Sequence, residues 1–535
     1  MRLIENTSKR KLRGGFYTPD PIAEFILRWG INGASNYDIL EPSCGDGVFL
    51  EQLLKKDFKY RSVTALELDA GEAQKARKID LKNTSVISTD FHLYCNETTN
   101  RFDLIVGNPP YIRYQFFDNQ QQVEANKIFI RAYLKYTKLT NAWVSFIVGS
   151  SLLLKESGKI GFVVPAELLQ VSYAKQLREF LSNYFNKIDI VSFKKLVFPE
   201  IQQEVVLLLC EKNNSQIHAI EHLEINDADS LKTIDLYKLK NPTKNIDHKS
   251  NKWTFYFLEQ KEIDFLEEVS NSLTFPRLGD FADVEVGITT GSNEFFTVSR
   301  ATVEKYKLQK FAFPLVGRSV QVNSSLFTKK DWKENEQNGV RSYLLIFPPI
   351  EKLKNHKGAL AYLTLGEELK VNKGYKTGIR DEWQAVPSIR ISDCLFIRRN
   401  NVFPKLILNK AKAYTTDTMH RITIKHNTNI KAFCASYYNS LSFAFGEISG
   451  RSYGGGVLEL MPSEVEKIIL PYKDTHDELF PEIDKMFREK VDISNILKYT
   501  NKIILRNGFG LTTKEVDLAK SIWEKLSQRR LNRSK

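Results

Sequence analysis

Ile39-Leu40-Glu41-Pro42-Ser43-Cys44-Gly45-Asp46-Gly47-Val48-Phe49-Leu50 joins a short apolar run to a Gly-x-Gly turn and then to the opening of an apolar-periodic segment. A strand that passes through small residues into a helix is the opening unit of a doubly wound α/β sheet, where small residues let backbone come close to a ligand. Outward from this stretch the same alternation continues. Apolar runs at 38–40, 63–67, 85–88, 104–106, 160–164, 188–193 and 205–209 predict strands, and segments 21–29, 48–56, 71–78 and 174–184 carry apolar residues at helical spacing. The pattern predicts a mainly parallel sheet with helices on both faces. Residues 211–260 turn polar, first acidic and then basic, and are expected to form a boundary that few core contacts cross. The division is placed at residue 245, with one domain over 1–245 and a second over 246–535.

In a doubly wound sheet, ligands sit beyond the carboxyl ends of the strands where strand order reverses. Glu41, Ser43, Cys44, Gly45, Asp46 and Gly47 are therefore expected to line a ligand crevice. Glu67, which ends the next strand 21 residues beyond Asp46 and is followed by Leu68, stands at the spacing of a carboxylate that accepts ribose hydroxyls. Asp90 and Phe91 end the third strand, offering an acceptor for an adenine amino group and a ring for the base. Together they predict an adenosine-type ligand, and both a dinucleotide and S-adenosylmethionine fit.

The segment Arg101-Phe102-Asp103-Leu104-Ile105-Val106-Gly107-Asn108-Pro109-Pro110-Tyr111 decides the chemistry. Pro109 and Pro110 fix their own φ and push the residue before each out of helical geometry, so the strand ends in a rigid turn. The Asn108 amide oxygen and the Pro109 carbonyl can each accept one hydrogen of a planar amino group. An exocyclic amine conjugated to a ring is a poor nucleophile, and two such acceptors localise its lone pair for in-line attack on a methylsulfonium. Tyr111 offers a face for a planar target. No metal is required.

These residues, in this order, resemble the DNA adenine-N6 methyltransferases of the gamma motif order. Gly15-Phe16-Tyr17-Thr18-Pro19 resembles the N-terminal cofactor segment of that family, with Tyr17 and Thr18 as contacts. Glu41 to Gly47 resembles its methionine-side loop, Glu67 with Leu68 its ribose site, Asp90-Phe91 its adenine-binding pair, and Asn108 to Tyr111 its catalytic motif. Residues 158–165 resemble its fifth-strand segment. Residues 196–199 followed by 204–209 resemble the segment whose Phe stacks on a flipped base, a role that falls to Phe198; on packing grounds alone Phe198 is a core residue. The resemblance implies a Rossmann-like class I methyltransferase domain, S-adenosyl-L-methionine as cofactor, and adenine in a short site of double-stranded DNA as target.

A chain of 535 residues is too long for one core and is expected to hold two to four folding units. Its formal charge of +13 favours polyanionic partners, and the excess is uneven. Residues 1–250 carry 33 basic and 30 acidic side chains, residues 251–535 carry 44 and 34, so the second half is the expected polyanion surface. It is expected to be a mixed α+β target-recognition domain with a helical C-terminal segment. Its stretches 287–296, 374–380, 414–417 and 450–456 resemble parts of target-recognition domains, and Lys376, Arg380 and Arg451 are the candidate DNA-binding residues.

Five dispersed cysteines without a C-x-x-C pair argue against a disulfide framework or a zinc site and for a reducing, cytoplasmic location at the nucleoid. The longest apolar stretch, 142–154, is too short to span a bilayer. A monomer is expected, acting beside a separately encoded restriction endonuclease on the same site. The short lead before Gly15 is expected to hold no nuclease, and the lone E-x-K at 368–370 reads as a solvated charge cluster. The alternative target for the same chemistry is an RNA base or a protein glutamine, against which the large basic second half argues. A DNA-binding subunit without catalysis fits poorly with an intact Asn108 to Tyr111.

Overall fold

The computed structural model describes residues 18–31, 36–56, 58–112, 116–137, 141–198, 203–213, 218–235, 244–246 and 252–534. Two compact units emerge. One comprises Met1–Ile263 with Tyr453–Gly455 and Asn532–Lys535, the other Asp264–Ser452 with Gly456–Leu531.

The first unit is built on an eight-stranded sheet of β1 (Asp38–Glu41), β2 (Ser62–Glu67), β3 (Thr84–Ser88), β4 (Phe102–Gly107), β5 (Leu154–Pro165), β6 (Lys187–Phe193), β7 (Val205–Glu211) and β8 (Ala219–Ile225). Its spatial order is β3-β2-β1-β4-β5-β7-β6-β8. β1 pairs in parallel with β2 and β4, β2 with β3, and β4 with β5, whereas β7 runs antiparallel between β5 and β6. The doubly wound α/β expectation holds, with β7 as the antiparallel exception.

The polar stretch 211–260 departs from its reading as a plain boundary, because β8 lies inside it and pairs in parallel with β6 from Lys187↔Ala219 to Phe193↔Ile225. As an edge strand it buries only Ile220 and Ile225, so its composition is that of a surface.

Helices α1 (Asp20–Gly30), α2 (Val48–Lys55), α3 (Ala70–Arg77), α4 (Phe91–Glu97), α5 (Asn119–Arg131), α6 (Ala142–Leu152) and α7 (Lys175–Tyr184) flank the sheet. α1 starts behind Pro19 and places Ile22, Ala23, Phe25, Ile26 and Trp29 in one core with Phe49, Leu50 and Leu53 of α2 and Ile39, Val63, Leu104 and Leu207 of the strands. Each such Ile, Leu, Val or Phe side chain, fully buried, contributes about 1.5–3 kcal/mol. α1 reaches the sheet because β5 carries Gly161, where a Cβ would lie 2.5 Å from Ile26 Cγ2. At the amino ends of the strands, Lys155 Nζ sits 2.8 Å from Asp38 Oδ2 and 2.7 Å from Asp103 Oδ2, joining β5 to β1 and β4. The long apolar stretch forms α6, buried from Ala142 to Ser151. Among the described residues, no helix is long and apolar enough to cross a membrane.

The second unit is mixed α+β, as expected. A five-stranded sheet runs in the order Leu326–Phe327, Leu406–Asn409, Cys394–Ile397, Met419–Ile424, Ala282–Val286, and a four-stranded sheet in the order Thr297–Val298, Tyr343–Leu345, Ala312–Val316, Tyr414–Thr415. Residues 474–488 form a 3-10 turn, Asp474–Leu479, followed by the helix Phe480–Arg488. Pro481 opens that helix, where its missing N–H would go unpaired in any residue. Thr513–Leu531 ends the unit as a 19-residue helix.

Candidate active site

Strand order reverses between β1 and β4, whose pairing Ile39↔Leu104 and Leu40↔Ile105 sets their carboxyl ends side by side. The loop after β1 and the Asn108 turn after β4 therefore meet: Ser43 Oγ donates to the Asn108 carbonyl at 3.4 Å. The order β3-β2-β1-β4 puts Asp90, Glu67, the Glu41 to Gly47 loop and Asn108 along one edge, so the sheet brings together residues 67 positions apart in the chain.

The loop after β1 is tied down from β2. The Cys44 amide donates to the Leu66 carbonyl at 2.8 Å, and the Gly45 amide donates to Glu67 Oε2 at 2.9 Å. Glu67 Oε1 accepts from the Asp69 amide at 2.8 Å. Gly47, the residue before α2, has φ 98°, and a Cβ there would lie 2.5 Å from Ile79 Cδ1, so only glycine fits. Among the described residues, no heavy atom beyond Gly45 and its chain neighbours lies within 4 Å of where a Gly45 Cβ would stand. Glu41 is 2% exposed, its Oε2 accepts no hydrogen bond, and burial together with Glu67 and Asp46 pushes its carboxyl well above the usual range. Burial likewise pushes the Cys44 thiol up. Leu68, beside Glu67, is 60% exposed. Thr18 is buried, and Tyr17 lies outside the described residues.

Asp90 caps α4, its Oδ1 accepting from the His92 and Leu93 amides at 2.8 and 3.1 Å. Its Oδ2 accepts from Gln121 Nε2 at 3.0 Å. Burial would raise the carboxyl, but the hydrogen bonds from His92, Gln121 and the Leu93 amide hold it down to about 2. His92 Nδ1 lies 3.2 Å from Asp90 Oδ1, and its Nε2 lies 2.7 Å from Ser145 Oγ, whose own hydrogen goes to the Ala142 carbonyl. Gln121, His92 and Ser145 escaped the sequence analysis. Gln121 alone left a signal, as the fourth residue of the capping box that Asp118 opens on α5. Phe91 departs from expectation: its ring is 2% exposed and stacked on Phe146 at 4.5 Å. The ring packs into the first unit rather than standing open at the end of β3.

Asn108, Pro110 and Tyr111 are half-buried and Pro109 is buried. The Tyr111 hydroxyl donates to Asn108 Oδ1 at 2.7 Å and lies 3.2 Å from the Val163 carbonyl of β5. Burial pushes the phenol well up, so it stays a donor, and a donor there holds the amide with its oxygen toward the ring. Tyr111 packs against the same core that contains Phe198, which is 9% exposed and bridges to Gln203.

In the second unit, Lys376 is exposed. Arg380 spends its guanidinium on the protein: Nη2 donates to the carbonyls of Thr289 and Thr290 at 3.2 and 2.9 Å, and Nη1 to that of Trp383 at 3.3 Å. Arg451 pairs with Glu464 at 3.1 Å. Among the described residues, no group of three or more His, Cys, Asp or Glu side chains could hold a metal ion.

Residues 47–198 match the family model described as the Eco57I restriction-modification methylase, and residues 250–505 that of the C-terminal domain of type II methyltransferase M.Eco57I. The chain is 24% identical over 525 residues to type II methyltransferase M.AccI of Acinetobacter calcoaceticus, covering 92% of this chain and 93% of that protein. With type II methyltransferase M.HincII of Haemophilus influenzae it shares 30% identity over 234 residues, 43% of each chain. A solved structure of a nuclease-deletion mutant of the type ISP restriction-modification enzyme LlaGI, in complex with a DNA substrate mimic, is similar at a TM-score of 0.51 and 13% identity. That likeness covers 88% of this chain and 54% of the other, and it speaks for the fold.

Proposed function

Because this chain belongs to the restriction-modification DNA methyltransferases, we propose that it methylates the N6 amino group of adenine within a short double-stranded site, using S-adenosyl-L-methionine, and so protects that site from a cognate endonuclease. The observation that carries the adenine assignment is the Asn108 turn, with its amide oxygen oriented by Tyr111, set against the loop after β1.

The crevice fits an adenosyl cofactor on three counts. Glu41 carries a buried carboxylate oxygen with no hydrogen-bond donor, Gly45 presents open space, and Leu68 holds apolar surface in water beside Glu67. Glu41 and the 43–47 loop would hold the methionine end, Glu67 and Leu68 the ribose, and Asp90 with Thr18 and Tyr17 the remainder. The bound cofactor supplies an electrophilic methyl group.

Everything else falls to this chain. The target base must leave the duplex to reach the strand ends, because its amino group is shielded inside the stack. Phe198 and Tyr111 then hold the ring. Asn108 Oδ1 and the Pro109 carbonyl accept the two amino hydrogens, which draws the nitrogen toward tetrahedral geometry and aims its lone pair. The Tyr111 hydroxyl keeps the amide from presenting its NH2 face, which would repel the amine. Such positioning of acceptors typically carries several kcal/mol of the barrier.

The test is incubation of the purified protein with unmethylated plasmid and S-adenosylmethionine, followed by modification-sensitive single-molecule sequencing. N6-methyladenine confined to one short motif is expected. Asn108→Ala should lose at least about a hundredfold in turnover while binding DNA as the wild type does. Wild-type turnover in Asn108→Ala rejects the mechanism, and methylation of cytosine rejects the target.

A further inference from the structure

Residues 370–380, Lys370-Val371-Asn372-Lys373-Gly374-Tyr375-Lys376-Thr377-Gly378-Ile379-Arg380, form a loop in the second unit that is held from beneath and apolar at its outside. Thr377 is fully buried, its hydroxyl donating to the carbonyls of Val371 and, at 3.2 Å, Gly374. The Gly378 amide closes the turn onto the Gly374 carbonyl at 2.7 Å. Arg380 fastens the far end to Thr289 and Thr290. The neighbouring turn is close enough that a Cβ on Gly291, at φ 85°, would lie 2.8 Å from Thr377 Cγ2. Every polar group named so far is spent on holding the loop.

What the loop displays is different. Tyr375 is 86% and Ile379 76% exposed, with Lys373 and Lys376 exposed alongside. Two large apolar side chains on a braced loop forgo the stabilisation of burial, and rigid display is what an inserting side chain needs. The flanking lysines choose the partner. Lysine is depleted at the core of protein–protein interfaces, whereas phosphates on either side of a groove suit two cations beside an apolar tip.

We propose that this prong enters a groove of the substrate duplex, with Lys373 and Lys376 on phosphates and Tyr375 and Ile379 wedged against a base step outside the target adenine. The proposal rests on the DNA-methylating reading above. Bending or unstacking the duplex at that step favours extrusion of the target base.

The test uses the full chain and a fluorescein-labelled duplex bearing the site found by sequencing. Tyr375→Ala/Ile379→Ala should bind that duplex about tenfold more weakly, the effect of losing one stacking contact. Its melting temperature and S-adenosylmethionine affinity should match the wild type, because both side chains stand in solvent, and Tyr375→Phe/Ile379→Leu should restore duplex binding. With 2-aminopurine walked through the site, the wild type should brighten one position besides the target, and the double alanine variant should lose that signal. Wild-type affinity in the double alanine variant overturns the prong, as does fluorescence at the target alone. A wild-type chain that methylates no DNA sinks the parent reading instead.

Discussion

Glu41 shows at the scale of one residue how a buried carboxyl works against the stability of its own fold. Its carboxyl is buried, one oxygen accepts no hydrogen bond, and Glu67 and Asp46 add like charge nearby. The unfolded carboxyl ionises near 4.5 and the folded one well above it. A raised acid contributes stability fully below the unfolded value and loses it as pH rises through the folded one. Glu41→Gln should therefore melt higher than the cofactor-free wild type, by a margin that grows over the range of pH rising from about 5. The same variant should bind S-adenosylmethionine about tenfold more weakly, since an acceptor that can ionise against a positively charged ligand has become one that cannot. Parallel melting curves across that range, or unchanged cofactor affinity, would reject the assignment. Asp90 has the opposite balance: hydrogen bonds from His92 and Gln121 outweigh burial and keep it ionised.

At the scale of elements, the site is only as well placed as the strands beneath it. α1 lies on β5 at Gly161, so adding a methyl there must push Ile26 and Trp29 away from the sheet. Gly161→Ala is expected to cost about 1–3 kcal/mol in urea unfolding, the usual range for overpacking a tight contact. A cost below about 0.5 kcal/mol would mean that α1 shifts freely and does not brace the strand whose Val163 carbonyl meets Tyr111. Gln121 makes a second link between elements, since it completes the cap of α5 and donates to Asp90 at the end of β3. One side chain thus couples α5 to the end of β3.

At the scale of the whole molecule, charge is distributed unevenly along the chain. The chain carries a formal +13, most of it beyond residue 250, where the second unit displays Lys373 and Lys376. A duplex whose phosphates are contacted by six to ten such cations releases as many counterions. Affinity for DNA should therefore fall by about a thousandfold or more between about 50 and 200 mM salt, while affinity for S-adenosylmethionine barely changes. A filter-binding or anisotropy titration in which DNA affinity ignored salt would demote the basic half from substrate platform to solvated surface.

Much of this was legible in the chain because it is local. Strand, Gly-x-Gly turn and helix follow one another within residues 39–50, and Asn108 to Tyr111 make a turn whose geometry two prolines impose without help from elsewhere. The doubly wound architecture and the order of the crevice residues follow from such pieces. What the sequence could not reveal depends on neighbours distant along the chain. Phe91 looked like a free ring and is packed on Phe146, 55 residues away, and Arg380 looked like a DNA contact and is spent on Thr289 and Thr290. The polar run 219–225 became an edge strand because β6 offered it a partner, and His92, Ser145 and Gln121 joined Asp90 only once α4, α5 and α6 had packed together. Local sequence determined which backbone turns and which chemistry this protein carries. Only the tertiary structure decided which side chains remain available to use them, because burial and hydrogen-bond partners are properties of the assembled neighbours.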